Sequence, residues 1–131
     1  MQDNLTTERP TFVTHLECPM TGEKLPADRL ANLSAAGKPL LVRYDLAGVK
    51  KAVARDDLAA RAPDLWRYRE LLPVRRCENI VSLGETMTPL IELPRLKKRL
   101  GGGDIIVKDE GRLPTGSFKA RGLVMAVSMA R

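Results

Sequence analysis

Residues 104–131 constrain this chain most. Asp104 to Lys108 contains Ile105-Ile106-Val107, an unbroken β-branched run suited to a strand buried on both faces, as in a parallel sheet. A turn-rich stretch follows, Gly111-Arg112-Leu113-Pro114-Thr115-Gly116-Ser117, and then Phe118 and Lys119. An apolar pattern of Leu123, Val124, Val127 and Ala130 predicts a helix that runs to the last residue. The order strand, turn, helix points to an α/β fold and sets a serine and a lysine at the start of a helix.

That placement has a chemical use. Backbone N–H groups in the first turn of a helix are unpaired and lie at the positive end of its dipole, so the turn suits an anion. The same field disfavours a charge on Lys119, and partial burial behind Phe118 and Leu123 is expected to favour its neutral amine further. A neutral lysine amine attacks aldehydes, and pyridoxal phosphate is the common aldehyde cofactor held in this way. The rival reading is a phosphate loop of the form Gly-x-x-x-x-Gly-Lys. Gly111 and Gly116 have the right gap, but Ser117 stands where the lysine belongs, which disfavours it.

Upstream, Asp45 stands at an N-cap ahead of Leu46, Val49 and Val53, predicting a helix that fades before Pro63. Asp64 followed by Leu65, Tyr68, Leu71 and Leu72 predicts a second short helix closed by Pro73. Residues 74–90 read as extended or looped. Leu93, Leu96 and Leu100 predict a third helix, ended by Gly101-Gly102-Gly103. Leu40-Leu41-Val42-Arg43-Tyr44 reads as a strand. Cys18-Pro19-Met20-Thr21-Gly22 and Ala35-Ala36-Gly37-Lys38-Pro39 read as turns.

With 131 residues, 44% of them apolar and 29% charged, the chain has material for a modest core and is not expected to be disordered. No run approaches the roughly 18 apolar residues of a membrane span, and the start lacks the pattern of a signal peptide. A cytoplasmic protein is expected, with no membrane partner. Cys18 and Cys77 are the only cysteines, too few for a disulfide framework; each is read as a buried structural thiol. The net charge of +6 falls wholly in the second half, at Arg67, Arg69, Arg75 and Arg76 and at Arg95, Lys97, Lys98 and Arg99. With aromatics at only 4%, few rings are present to stack on bases. A solvated face, or a surface used by another part of the protein, is favoured over nucleic-acid binding.

The segment Val107-Lys108-Asp109-Glu110-Gly111-Arg112-Leu113-Pro114-Thr115-Gly116-Ser117-Phe118-Lys119-Ala120-Arg121-Gly122 closely resembles the cofactor-lysine segment of the threonine synthases and their fold-type II pyridoxal-phosphate relatives, which are tryptophan synthase beta-like. Ser82-Leu83-Gly84-Glu85-Thr86-Met87-Thr88-Pro89-Leu90 and Trp66-Arg67-Tyr68-Arg69-Glu70-Leu71-Leu72-Pro73 resemble two further segments of that family, in the family's order. The resemblance implies that Lys119 holds pyridoxal 5'-phosphate through its aldehyde and later moves protons between substrate carbons. It implies that Ser117 and Phe118 line the cofactor and that Thr88 lies near a small amino-acid substrate. Arg121 is expected to be a structural partner of Asp109-Glu110. The implied reaction is conversion of O-phosphohomoserine to threonine and phosphate. Ala120 stands where the family commonly has Asp, and Thr86-Met87 where it has Gly-Asn. Threonine dehydratase or an amino-acid ammonia-lyase is the alternative within the enzymes, and a non-catalytic basic binding module the alternative outside them.

The two upstream turns resemble the knuckles of the small zinc ribbon that precedes many such proteins. Four ligands in two pairs make such a site. Only Cys18 remains here, with Thr21, Ser34 and Ala36 at the other places and His15 as a poor substitute, so no metal is expected. The expected organisation is a flexible arm over 1–15, a ribbon-like β hairpin over 16–45 that has lost its ligands, and over 46–131 the incomplete N-terminal portion of a fold-type II catalytic domain. By the resemblance, the loop that grips the cofactor phosphate follows the lysine helix. The expected partners are therefore the remainder of the catalytic domain or another chain, with a homodimer as a candidate assembly, and negligible turnover is expected of this chain alone.

Overall fold

A computed structural model describes residues 8–131. Two small sheets and four α-helices alternate along it, so the chain is mixed α/β. The first sheet has β1 (Val13–Glu17) at its centre, with β2 (Lys24–Pro26) and β3 (Leu41–Tyr44) antiparallel on either side. Its turns fall where the sequence puts them. Gly22 and Gly37 take positive φ of 72° and 67°, which glycine adopts without a Cβ clash. The expected arm over 1–15 lies partly outside the described residues. Within the described part, Arg9 N–H donates to Arg75 O at 2.6 Å and Phe12 N–H to Glu70 O at 2.8 Å, before β1 begins at Val13.

Asp45 caps α1 (Leu46–Ala52), its carboxylate accepting from Gly48 N–H at 2.9 Å. Glycine fits closely at 48: a Cβ there would lie 2.7 Å from the Phe12 ring and would strike the Asp45 carboxylate, so those side chains would have to shift. The single helix expected up to Pro63 is two: Val53 and Ala54 turn extended, and α2 (Arg55–Ala60) starts afresh with Asp57 accepting from Ala54 N–H at 2.8 Å. The helix expected after Asp64 is a 3-10 segment over Leu65–Leu71, kinked at Tyr68. Trp66 and Glu70, on either side of that kink, are both buried.

The core lies under this segment. Trp66, Val74 and Val124 are buried together, with Leu72, Ile80, Val81 and Met125 around them. Trp66 Nε1 donates to Val81 O at 3.2 Å, and Ser128 Oγ, wholly buried, accepts from Val81 N–H at 3.1 Å. These contacts dock α4 (Lys119–Ala130) against residues 65–81.

The second sheet departs from expectation. β5 (Ile106–Lys108) is not a strand buried in a parallel sheet: it pairs antiparallel with β4 (Leu90–Glu92), and all six residues are exposed, Ile106 by 53%. Among the described residues no second layer covers either face, so the β-branched run has no core to enter. Between the strands, α3 (Pro94–Leu100) ends at Gly101 with φ 65°, as the three glycines predict.

Candidate functional site

The site is built on the β4–β5 pairing. Asp109 N–H donates to Pro89 O at 3.0 Å, continuing the ladder beyond Lys108 and setting Thr88 beside Glu110. Asp109 itself turns away. It caps the 3-10 turn Glu110–Arg112 through Gly111 N–H at 3.2 Å and pairs with Arg112 at 3.0 Å. Leu113, 3% exposed, pins the loop. Gly116, at φ 67°, donates to Leu113 O at 2.7 Å and turns the chain into α4.

Glu110 is the hub of the site. Arg121 Nε reaches its Oε2 at 2.9 Å and Arg121 Nη2 its Oε1 at 3.3 Å, while Thr88 Oγ1 donates a very short bond to Oε1. The Arg121 guanidinium and the Thr88 hydroxyl, in that order, hold the Glu110 carboxyl well below the usual carboxylate range, at about 2. Arg121 Nη2 also donates to Thr86 O at 2.9 Å, and Lys108 Nζ to Thr88 O at 3.2 Å. Three segments are thereby tied at one point: residues 86–88, the end of β5, and the first turn of α4. Charge-assisted bonds of this kind are the stronger class of protein hydrogen bond.

Of the residues singled out in the sequence, Thr88 is buried and its hydroxyl is committed to Glu110. Ser117 O accepts from Thr115 Oγ1 at 3.1 Å and from Ala120 N–H at 3.3 Å, which closes the turn. Lys119 is the first residue of α4. Its expected burial is overturned: Lys119 is exposed, Phe118 is 66% exposed and Leu123 52%. The helix turns Ala120, Val124 and Ser128 inward instead, and that phase carries its neighbours outward. The expected pairing of Arg121 falls on Glu110 alone. Glu110 and Glu85 were not singled out as site residues. Glu85 is 1% exposed and accepts from Ser82 Oγ and Leu83 N–H, with Oε1 unpartnered among the described residues. The expected pairing of Arg121 with Asp109-Glu110 is the available signal for Glu110; for Glu85 there is none.

A family profile described as pyridoxal-phosphate dependent enzyme matches residues 81–131, the stretch holding β4, β5, the Glu110 hub and Lys119. Those residues belong to that family. The chain is 39% identical over 113 residues to a threonine synthase of Methanocaldococcus jannaschii, covering 86% of this chain and 28% of that protein. It is 36% identical over 117 residues to the threonine synthase of Methanosarcina acetivorans, covering 88% and 28%, and 51% identical over 67 residues to that of Halalkalibacterium halodurans, covering 51% and 19%. The chain thus spans less than a third of the length of these relatives. The family resemblance of the lysine segment is supported well beyond the motifs themselves, since the similarity to the first two relatives extends over most of the chain.

At the other end of the chain, Cys18 is wholly buried between the two turns. Hydrogen bonds from Ser34 first and Thr21 second, helped by the Thr21 and Met20 backbone, bring its thiol down to about 7. Ser34 is buried, donates N–H to Lys38 O at 2.9 Å and accepts from Lys38 N–H at 3.2 Å. Cys77 is half-buried, and both thiols are free. Among the described residues no group of three or more His, Cys, Asp or Glu converges as metal ligands, and no helix is long and apolar enough to cross a membrane.

Proposed function

We propose that this chain supplies the lysine-bearing part of a threonine synthase-like lyase that turns O-phosphohomoserine into threonine and phosphate with pyridoxal phosphate, in the cytoplasm. The observation that carries the proposal is the position of Lys119. Its amine makes no hydrogen bond or ion pair among the described residues, at the start of a helix fixed by the Arg121–Glu110–Thr88 network, within the matched stretch. An exposed amine of this kind fits the aldehyde of the cofactor, which supplies an electron sink for chemistry at the substrate carbons. In this reading Lys119 holds and moves a proton at its Nζ. Ser117 shapes the turn that aims it, and Phe118 offers a ring to the cofactor's face. Thr88 borders the substrate, with its hydroxyl oriented by Glu110.

Thr86 and Met87, where the chain departs from the family pattern, are engaged with the scaffold, and threonine dehydratase or an amino-acid ammonia-lyase is the alternative for the substrate. Thr86 Oγ1 and Met87 N–H donate to Pro63 O at 2.9 and 2.8 Å. The sheet over β1–β3, with Cys18, Thr21 and Ser34 meeting between its two turns, supports a ribbon-like module ahead of the catalytic segment, in which a hydrogen-bonded thiol stands in place of metal ligands. Proton transfer at a substrate carbon needs a fixed site that excludes water. Since Lys119 is exposed, residues 1–131 alone are expected to turn over negligibly, and further protein, from the rest of a catalytic domain or another chain, would cover the site.

The test is to mix the chain with pyridoxal phosphate, reduce with borohydride and locate the pyridoxyl group by mass spectrometry. Labelling concentrated on Lys119, with a visible absorbance band that disappears in Lys119→Ala, is expected. Equal labelling of Lys97, Lys98 and Lys119 would refute the assignment.

A further inference from the structure

β5 has two edges and one partner. Leu93 N–H donates to Ile105 O at 2.9 Å and Asp109 N–H to Pro89 O at 3.0 Å, so Ile105, Val107 and Asp109 turn their backbone groups toward β4. Alternation sends the N–H and C=O of Ile106 and Lys108 the other way, to an outer edge that no strand fills among the described residues. A lone pair of strands is marginal in water, and an exposed β-branched edge is a template for a further strand. Both Ile106 and Val107 on that edge are exposed.

The residues along the edge say which strand fits. Asp104-Ile105-Ile106-Val107-Lys108 sets an acid and a base at equal distances on either side of Ile106. Two copies laid antiparallel about a two-fold axis at Ile106 bring Asp104 of each opposite Lys108 of the other, and Ile105 opposite Val107. Ile106 then meets its own counterpart. The outward backbone groups of Ile106 and Lys108 fall in hydrogen-bonded register, so the ladder crosses the axis without a bulge. Both charges are accessible: the Asp104 side chain is 78% exposed while pairing with Lys97 at 2.5 Å, and that of Lys108 is 48% exposed while donating to Thr88 O. Other pairings fit worse. An axis at Val107 sets Asp104 against Glu110, and the same operation on β4 sets Leu90 against Glu92.

A two-fold interface needs a self-complementary patch, because every contact in it occurs twice. We propose that the outer edge of β5 is a docking edge for β5 of a second copy of this chain, forming a four-stranded sheet in the order β4-β5-β5-β4. On one face of that sheet Ile91, Leu93, Ile105 and Val107 of both copies form a continuous apolar band. On the other, the Asp104–Lys108 pairs flank the two Ile106 side chains. The inference does not depend on what Lys119 binds.

Sedimentation equilibrium of the 131-residue chain, up to about 1 mM, tests it. A reversible monomer–dimer equilibrium is expected. Ile106→Lys sets two cations face to face across the axis, while each still has Glu92 opposite it on β4; Lys108→Asp sets two like-charged pairs. Each is expected to weaken the dimer about tenfold. Combining Asp104→Lys with Lys108→Asp restores the opposite pairs and should return the dimer to near the parent's strength. Leu41→Lys, on the exposed edge of the other sheet, should leave it unchanged. Circular dichroism checks that each variant is folded, and Ile106→Lys stands if Lys108→Asp disturbs the Thr88 contact. A chain that stays monomeric throughout would overturn the proposal and leave the edge to a different protein segment. A dimer indifferent to Ile106→Lys, one weakened equally by Leu41→Lys, or one that the paired charge exchange fails to restore would overturn it as well.

Discussion

The sheet over Val13–Tyr44 and the segment over 81–131 solve the same problem in opposite ways. In the first, β1 is paired on both sides and its turns close over a buried thiol. In the second, β4 and β5 have only each other, Leu90, Ile106, Leu123 and Val127 are more than half exposed, and the Glu110 network supplies the fixed point. A site can therefore be positioned by charge where packing is thin. Such a site is also more sensitive to pH and to loss of a single carboxylate than one set in a core.

The harshest way to break the comparison is Trp66→Ala. Removing a buried indole costs about 3–5 kcal/mol. Trp66 belongs to the core against which α4 docks, so hydrogen exchange should show α4 amides losing protection while β1 amides keep theirs; equal loss in both would show that the two regions unfold as one. Gly48→Ala comes next, at about 1–3 kcal/mol for the overpacking. Its methyl would strike Phe12, so a lowered melting temperature is expected, and an unchanged one would mean that the ring moves aside freely.

Acid sharpens the contrast. The Glu110 carboxyl is depressed below its unfolded value, so the stability it contributes is present above about pH 4.5 and is lost as pH falls through about 2. Melting curves between pH 5 and 2 should fall less steeply for Glu110→Gln than for the parent. The smallest effect is expected at Cys18. Its thiol is depressed from 9.0 to about 7, so its contribution is complete above about pH 9 and is lost as pH falls through 7. A small rise in melting temperature from pH 7 to 9, absent in Cys18→Ser, is the expected result.

Much of the local structure was legible because single residues enforce it. Asp45 caps α1, Gly101 ends α3, and Gly22 and Gly37 form their turns, each by a constraint that acts over a few residues. The two-helix break at Val53 and the 3-10 winding after Asp64 were not legible. Leu65, Tyr68 and Leu72 suit an α-helix and Leu65, Tyr68 and Leu71 a 3-10 helix, and contacts of Trp66 and Glu70 with distant residues decide between them. Ile105-Ile106-Val107 reads as a buried strand because β-branched content reports what a strand could bury, whereas its actual cover depends on the layers around it. The place of Lys119 at the start of a helix and the pairing of Arg121 with an acid were legible in the sequence. Joining Thr88 to Glu110 required the β4–β5 register, which no local pattern encodes.

The inward line of Ala120, Val124 and Ser128 has a consequence for the chemistry beside it. Each residue of an α-helix advances about 100° around the axis. These three small contacts therefore act as an index mark that fixes the angle at which α4 presents its first residue. A slip of one position would swing Lys119 under the helix and bring Ala120 out to the angle that Arg121 now holds. A larger side chain at 120 would reset that angle before it changed anything else, so the rotational phase of α4 is set by its least reactive face.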